Sequence, residues 1–378
     1  MTDSPDQRPS STPDIPSLGD GATPELDQRH WLARVGFLLC AVYAGWHLYV
    51  LNIAPLETWT FRIAHIAGAL ILGLAMSSAL SVRPAPTHDA GKLPVLLGSV
   101  SLIAVLVALG SLILAVIYME PGAQAPPAWT LAPYGWALAG GTILAILTGW
   151  FFPARQGQLP GGDIALILAV IASCWFILFS LDTLSLRQRA GTPFADGNNG
   201  WAAFVIIILI AELTRRLAGL ALVVIAVIFI AYAFLGPWMP GFLEHKGYGP
   251  KRFFTYIFTD NGVLGPTTAV SSTYIILFIV FAAFLQSSKV GDYFVNFAFA
   301  AAGRARGGPA KVSVLASGLM GMINGTSAGN VVSTGSVTIP LMKKAGFQPI
   351  FAGGVEAASS TGGQLMPPIM GAGAFVMA

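Results

Sequence analysis

The sequence predicts an all-α, polytopic membrane protein with a re-entrant helical hairpin and a discontinuous transmembrane helix. Three observations carry this expectation. Hydrophobic residues make up 55% of the 378 and charged residues only 10%, with a mean hydropathy of +0.71, whereas a soluble domain carries about 25% charged residues. Apolar runs of about 20 residues, enough to span a bilayer core as a helix, recur along the chain. Near the carboxyl end, two apolar stretches are interrupted by breaks rich in Gly, Ser, Thr, Asn and Pro.

The apolar runs fall at 31–51, 61–82, 94–118, 135–152, 163–181, 217–235 and 271–285. Arg62 and His65 sit near the start of the second, where long polar side chains reach the interface. Trp31, Trp59, Trp136, Trp150, Trp201 and Trp238 stand near span ends and read as an interfacial belt. The stretch 201–236 is too long for one ordinary span and contains Glu212, Arg215 and Arg216. Each arginine costs about 2.5–3.5 kcal/mol at a helix centre, so 212–216 is expected at a cytoplasmic boundary between two halves of the chain. Glu212 is expected to pair with Arg215 or Arg216 at (i, i+3) or (i, i+4). Arg83, Lys92 and Arg155 flank the early spans on one side and favour a cytoplasmic amino terminus. Arg187, Arg189, Lys246, Lys251 and Arg252 fall on the far side, against that rule.

Residues 1–30 are acidic and rich in Pro, Ser and Thr; nothing there can bury a core, and a disordered cytoplasmic tail is expected. No basic start followed by an apolar run marks a secretory signal. The net charge of +3 is small and scattered, which argues against a nucleic-acid partner. Cys40 and Cys174 both lie in apolar runs and read as packing residues, with no disulfide framework or metal cluster. His47 and His65 read as packing or interface residues. A membrane-embedded enzyme would need His, Asp or Glu clustered near an interface, and no such cluster is visible, so no catalytic residue is assigned.

The most informative region begins at Gly303. Between Lys311 and Lys343 lie 31 uncharged residues, roughly 46 Å if wholly helical, which is long for one span. Basic residues flank the stretch on both sides: Arg304, Arg306 and Lys311 before it, Lys343 and Lys344 after it. Its middle, Asn324-Gly325-Thr326-Ser327-Ala328-Gly329-Asn330, is a poor helix. Two short helices meeting there would return the chain to the side it came from, placing both basic flanks in the cytoplasm. Irregular backbone at membrane depth survives only where it is buried in protein or lines a wet cavity. Such a break would offer polar side chains and helix ends to a cation or an anionic substrate. Gly321, Gly325 and Gly329 would let another backbone approach closely. The alternative is one tilted helix kinked by its glycines.

A second break follows at Glu356-Ala357-Ala358-Ser359-Ser360-Thr361-Gly362-Gly363-Gln364 and Leu365-Met366-Pro367-Pro368. Prolines after a Ser/Thr/Gly patch cannot continue a regular helix, and a discontinuous span exposes backbone near the membrane midplane. Two such breaks close in sequence are the pattern of secondary transporters. A proline kink without a ligand is the plainer alternative. Glu356 is the acidic residue of this region. Its carboxyl reads equally as a proton or ion partner and as a structural group paired with Lys343 or Lys344 or bonded to the hairpin backbone.

Taken together, Glu212-Leu-Thr-Arg-Arg216, Gly307-Gly-Pro-Ala-Lys-Val312, Gly325-Thr-Ser-Ala-Gly-Asn-Val331, Thr334-Gly-Ser-Val-Thr-Ile-Pro340 and the run from Glu356 to Gly371 resemble the fused permease of the tripartite ATP-independent periplasmic (TRAP) transporters. The likeness is closest to the type paired with TAXI-class binding proteins, and it covers about 200–378. The resemblance implies an elevator-type transporter of the bacterial inner membrane, importing a small organic anion by Na⁺ or H⁺ symport, without a cofactor. A periplasmic solute-binding protein of TAXI type would deliver the solute. It implies small-subunit-like helices over 31–199, a connecting helix over 200–216 and the first part of a large transport subunit over 217–378. The hairpin would occupy about 309–344 and the broken helix about 347–378.

By the same resemblance, Thr326, Ser327 and Asn330 would line a hairpin-tip site for Na⁺ and substrate, beside Asn324 and Gly325. Thr361 and Gly362 would complete both the ion site and the substrate site, and Ser359, Ser360, Gly363, Pro367 and Pro368 the substrate site. Where the family often reads Ser-Gly-Ser with Ala before the Asn, this chain has Asn324-Gly325-Thr326 and Gly329; Thr keeps the hydroxyl. Family members contain a second, inverted half, and the chain stops inside an apolar run, so a fragment holding the first half of the inverted repeat is expected. An uncoupled or structural membrane subunit remains the second reading.

Overall fold

In a computed structural model of the chain, residues 31–79, 92–123, 125–152, 161–183 and 186–377 are described. The expected tail over 1–30 lies outside them, as do Arg83 and Arg155. The helices in order are α1 (Trp31–Asn52), α2 (Thr58–Ala79), α3 (Leu93–Ile117), α4 (Tyr134–Phe151), α5 (Gly161–Thr183), α6 (Leu186–Arg189), α7 (Gly197–Ala218), α8 (Leu220–Leu235) and α9 (Pro250–Ile257). They continue as α10 (Pro266–Val270), α11 (Ile276–Ser287), α12 (Val290–Ala302), α13 (Gly308–Asn324), α14 (Ser327–Lys344), α15 (Pro349–Thr361) and α16 (Ala372–Met377). No strand occurs among the described residues. Among the described residues, seven helical segments are long and apolar enough to cross a membrane, and they coincide with the seven apolar runs of the sequence. The protein is a multi-pass, all-helical membrane protein.

The described residues form two compact units, one of 31–281 with 372–377 and the other of 282–371. The first is a bundle in which α2, α3, α4, α5 and α7 pack on one another. Its centre holds Ile63, Leu74, Leu112, Leu138, Leu166, Phe176, Ile206 and Leu209, all fully buried. Helix α8 buries none of its residues; being apolar all round, its surface suits lipid.

Polar networks close both ends of this bundle. At one end Glu212 accepts from Arg215 (2.8 Å), Arg216 (2.7 Å) and the Trp150 indole (2.9 Å), while Arg216 reaches Asp163 at 2.7 Å. The expected pairing of Glu212 is therefore met by both arginines, and two carboxylates balance two guanidinium groups where the ends of α4, α5 and α7 meet. This balance lets α7 carry all three charges in the last turns of one continuous helix. At the other end the Trp59 indole donates to Asp260 (2.8 Å), and Arg62 bonds both Asp260 (3.0 Å) and the Leu264 carbonyl. Trp59 and Trp150 thus anchor protein to protein, and Trp136, Trp150 and Trp238 are exposed, as an interfacial belt requires.

Glu57 caps α2. Its carboxylate accepts from the amides of Trp59 (3.0 Å) and Thr60 (2.9 Å) and pairs with Arg187, satisfying donors that a helix start leaves open. Burial pushes its pKa up, but the two amides, Arg187 and the Thr60 hydroxyl outweigh it and hold the group at about 2, below the ordinary 4.5. A depressed carboxylate pKa contributes stability above the unfolded value and loses it as pH falls through the folded one. Glu57→Ala should therefore lower thermal stability at neutral pH by the equivalent of about 1 kcal/mol. Melting in detergent should show that deficit narrowing as pH drops from 4.5 toward 2.

Candidate functional site

Within the unit 282–371, α13 and α14 lie against each other, and α15 packs on both. The chain does break at the expected place. Helix α13 ends at Asn324, Gly325 takes φ +60°, and Thr326 is extended before α14 begins at Ser327. A left-handed residue there suits Gly, and a Cβ at Gly325 would also lie 2.4 Å from the Met370 carbonyl oxygen. Thr326 caps α14 by accepting from the Gly329 amide at 3.2 Å. The arms are thus two helices folded back on each other, and not one kinked helix. Pro340 sits inside α14, a position where its missing donor weakens the helix.

Between the arms and α15 lies a fully buried carboxyl, that of Glu356. Five hydroxyls donate to it. Ser313 (2.7 Å) and Thr338 reach Oε2; Ser317 (3.2 Å), Ser360 (3.1 Å) and Thr334 reach Oε1. The donors come as pairs four residues apart: Ser313 and Ser317 on α13, Thr334 and Thr338 on α14. Glu356 and Ser360 repeat that spacing on α15, so each helix aims one face at the same point. The structural partners named from sequence are not the ones found: Lys343 and Lys344 are exposed, and side-chain hydroxyls take the place of backbone donors. The spacing of small hydroxyl residues on both arms was the signal available in the sequence.

A second cluster lies above it. Asn330 is fully buried; its amide nitrogen donates to the Ser317 carbonyl at 2.7 Å, and its Oδ1 has no partner among the described residues. Gly321 and Gly363 close the space beside it: a Cβ at Gly321 would lie 2.3 Å from the Gly363 Cα, and one at Gly363 would lie 2.6 Å from the Asn330 amide nitrogen. Beyond Thr361 the chain tightens into a 3₁₀ turn, Gly362–Gln364, whose Gln364 side chain donates to Ser327 Oγ at 3.1 Å. The helix is therefore interrupted before α16.

Of the residues singled out from sequence, Asn330, Ser360 and Gly363 are gathered in the buried interior, and Thr326, Ser327, Thr361 and Gly362 sit at its outer edge. The Thr361 and Ser359 hydroxyls are turned along their own helix, donating to the Ala357 carbonyl (2.9 Å) and the Val355 carbonyl (2.7 Å). Pro367 and Pro368 are exposed and joined by a cis peptide. Asn324 ends α13, and its side chain lies outside the described ones. Among the described residues no three His, Cys, Asp or Glu side chains gather to hold a metal ion.

Comparison with known proteins agrees with this architecture. Residues 205–378 match the family model of the tripartite ATP-independent periplasmic transporter, DctM component. This segment is similar to the DctM component. Among similar curated proteins are the C4-dicarboxylate TRAP transporter large permease proteins DctM of Rhodobacter capsulatus and Vibrio cholerae, each 37% identical over 91 residues. The corresponding protein of Pseudomonas aeruginosa is 34% identical over the same length. The aligned part is 24% of this chain and 21% of the Rhodobacter protein, so the chain spans about one fifth of the length of the curated relatives it matches. No solved structure matches the chain significantly. The matched segment holds both the hairpin and Glu356.

The close passage of Gly321 over Gly363 can be tested against a neighbour in the same helix. At Gly318 an added Cβ meets only the flexible end of Met366, at 3.4 Å. Gly318→Ala should be neutral or stabilising, by up to about 1 kcal/mol. Gly321→Ala should cost about 1–3 kcal/mol from overpacking, as read from the thermal stability of the purified variants.

Proposed function

We propose that the chain provides the permease of a secondary active, binding-protein-dependent transporter, which takes up a small organic anion together with Na⁺ or H⁺. The observation that carries this reading is the broken hairpin with the buried, unpartnered Asn330 Oδ1 behind it. A buried oxygen without a donor costs about 1–3 kcal/mol, and a hard cation would repay that cost. Thr326, Ser327, Thr361 and Gly362 surround the same break and supply further hydroxyl and carbonyl oxygens. The start of α14 presents helix-end amides, which favour an anion. The break is also where discontinuous helices of transporters bind their solutes. The DctM match supports a permease of the bacterial inner membrane, served by a periplasmic solute-binding protein. The TAXI type of that protein rests on the sequence resemblance. The relatives' dicarboxylates make a C4-dicarboxylate the first solute to try.

In this reading Glu356 is a positioning residue. Its four hydroxyl partners on α13 and α14 bind α15 to both hairpin arms and keep Asn330 in register with Gly363. An uncoupled or structural subunit is the competing reading, and the ion gradient separates the two. Proteoliposomes holding the chain and a candidate binding protein should accumulate labelled solute only under an inward Na⁺ or H⁺ gradient. If Na⁺ is the driver, Asn330→Ala should raise the Na⁺ needed for half-maximal uptake by roughly tenfold, the loss of one charge-assisted contact, and Glu356→Gln should leave the ion preference unchanged. Uptake indifferent to both gradients would favour the uncoupled subunit.

A further inference from the structure

In the bundle of 31–281, two histidines read from sequence as packing residues face each other across α1 and α2. His47 is fully buried and His65 nearly so. His47 Nε2 lies 2.9 Å from His65 Nδ1. His47 Nδ1 is 2.9 Å from the Tyr43 carbonyl, and His65 Nε2 is 3.0 Å from Ser271 Oγ. The Tyr43 hydroxyl donates to the His65 carbonyl at 2.8 Å and stands 2.9 Å from His65 Nδ1.

Two of these partners are carbonyls, which can only accept, and they set the direction of every other bond. The Tyr43 carbonyl requires a proton on His47 Nδ1. In the neutral ring, His47 Nε2 then holds a lone pair, so His65 Nδ1 must donate to it. His65 Nε2 is left as an acceptor, and the Ser271 hydroxyl donates. The neutral network is thereby saturated.

One more proton fits without moving a heavy atom. It enters at His65 Nε2, and the Ser271 hydroxyl rotates to accept from it. Transfer of the Nδ1 proton to His47 Nε2 gives the other form of the same state, with Ser271 still accepting. A second added proton would set N–H against N–H at 2.9 Å, between two cations. We propose that His47 and His65, closed by Ser271, form an intramembrane site that binds a single proton shared between the two rings. Trp46 and Phe61, with ring centroids 4.7 and 5.6 Å from that of His47, are placed to favour a cation.

The charged groups nearby are otherwise engaged. Arg62, one turn earlier on α2, is held by Asp260 and the Leu264 carbonyl. On α5 and α7, which also pack on α2, Asp163, Glu212, Arg215 and Arg216 bond one another and Trp150. Ser271 opens a π-helical turn, Ser271–Ile275, a rare local form that is frequent at functional sites. Proton uptake turns a neutral bond between α2 and this turn into a charge-assisted one, about twice as strong. It therefore ties α2, which precedes the matched residues 205–378, more firmly to them. The inference does not depend on the transport reading.

The experiment is nitrogen NMR of the full chain in lipid nanodiscs, with histidine labelled and pH varied. The chain has five histidines, and His47→Asn and His65→Asn assign the two signals. The expected result is a single proton taken up by both rings together. Ser271→Ala should weaken that uptake about tenfold, the loss of one hydrogen bond to a charged group, and Ser271→Thr should restore it. Two independent uptakes, or rings that stay neutral down to the pH of unfolding, would overturn the proposal. So would a folded Ser271→Ala variant that titrates like the parent. Should that variant fail to fold, the stoichiometry in the parent chain decides.

Discussion

A polar group withdrawn from water must find its hydrogen bonds inside the protein, and in the unit 282–371 that demand falls on Glu356. Its carboxyl has no exposure and takes its partners from three helices. Each arm of the hairpin supplies two hydroxyls, and each donor is short, so the arms must approach α15 closely to deliver them. The same closeness explains the small residues around it. Ala298, Ala302, Val312 and Ala316 form the apolar core where α12 meets α13, and Gly321 passes over Gly363 with no room for a methyl group. The polar break at the hairpin tip is held from beneath by this joint.

The bundle of 31–281 solves a related problem at its two ends. Charges on α7 are kept inside a continuous helix because Glu212 and Asp163 match Arg215 and Arg216. At the opposite end Trp59 and Arg62 of α2 interlock with the loop that carries Asp260. Between these ends the interior is apolar except for a few polar groups, of which the linked pair of histidines and Ser271 is the most connected.

Much of the fold was legible in the sequence because the bilayer imposes length and polarity on each span. The seven apolar runs became seven spanning segments, and the break at Gly325–Thr326 fell where polar and glycine residues interrupt an apolar stretch. Local pairings were legible too, as with Glu212 and its neighbours at (i, i+3) and (i, i+4). Contacts that join distant segments were not. Trp59 and Trp150 look alike in sequence to belt tryptophans, yet their partners Asp260 and Glu212 arrive from elsewhere in the chain. His47 and His65 are 18 residues apart, and only the crossing of α1 and α2 makes them neighbours. The partners of Glu356 were half visible: the hydroxyl pairs have helical spacing, but which face turns to Glu356 depends on the packing of three helices.

The account depends on a chain that turns back at the hairpin tip, so the side of the membrane reached by each flank is its most direct measure. Cys40 and Cys174 can be replaced, and single cysteines placed at Lys311 and Lys344, both exposed and on opposite arms. Labelling of intact and inverted vesicles with an impermeant thiol reagent then reports the compartment of each. The account predicts that both positions react from the same side. Reaction from opposite sides would mean that the segment crosses the membrane, and the folded-back site around Asn330 and Glu356 would have no place in it.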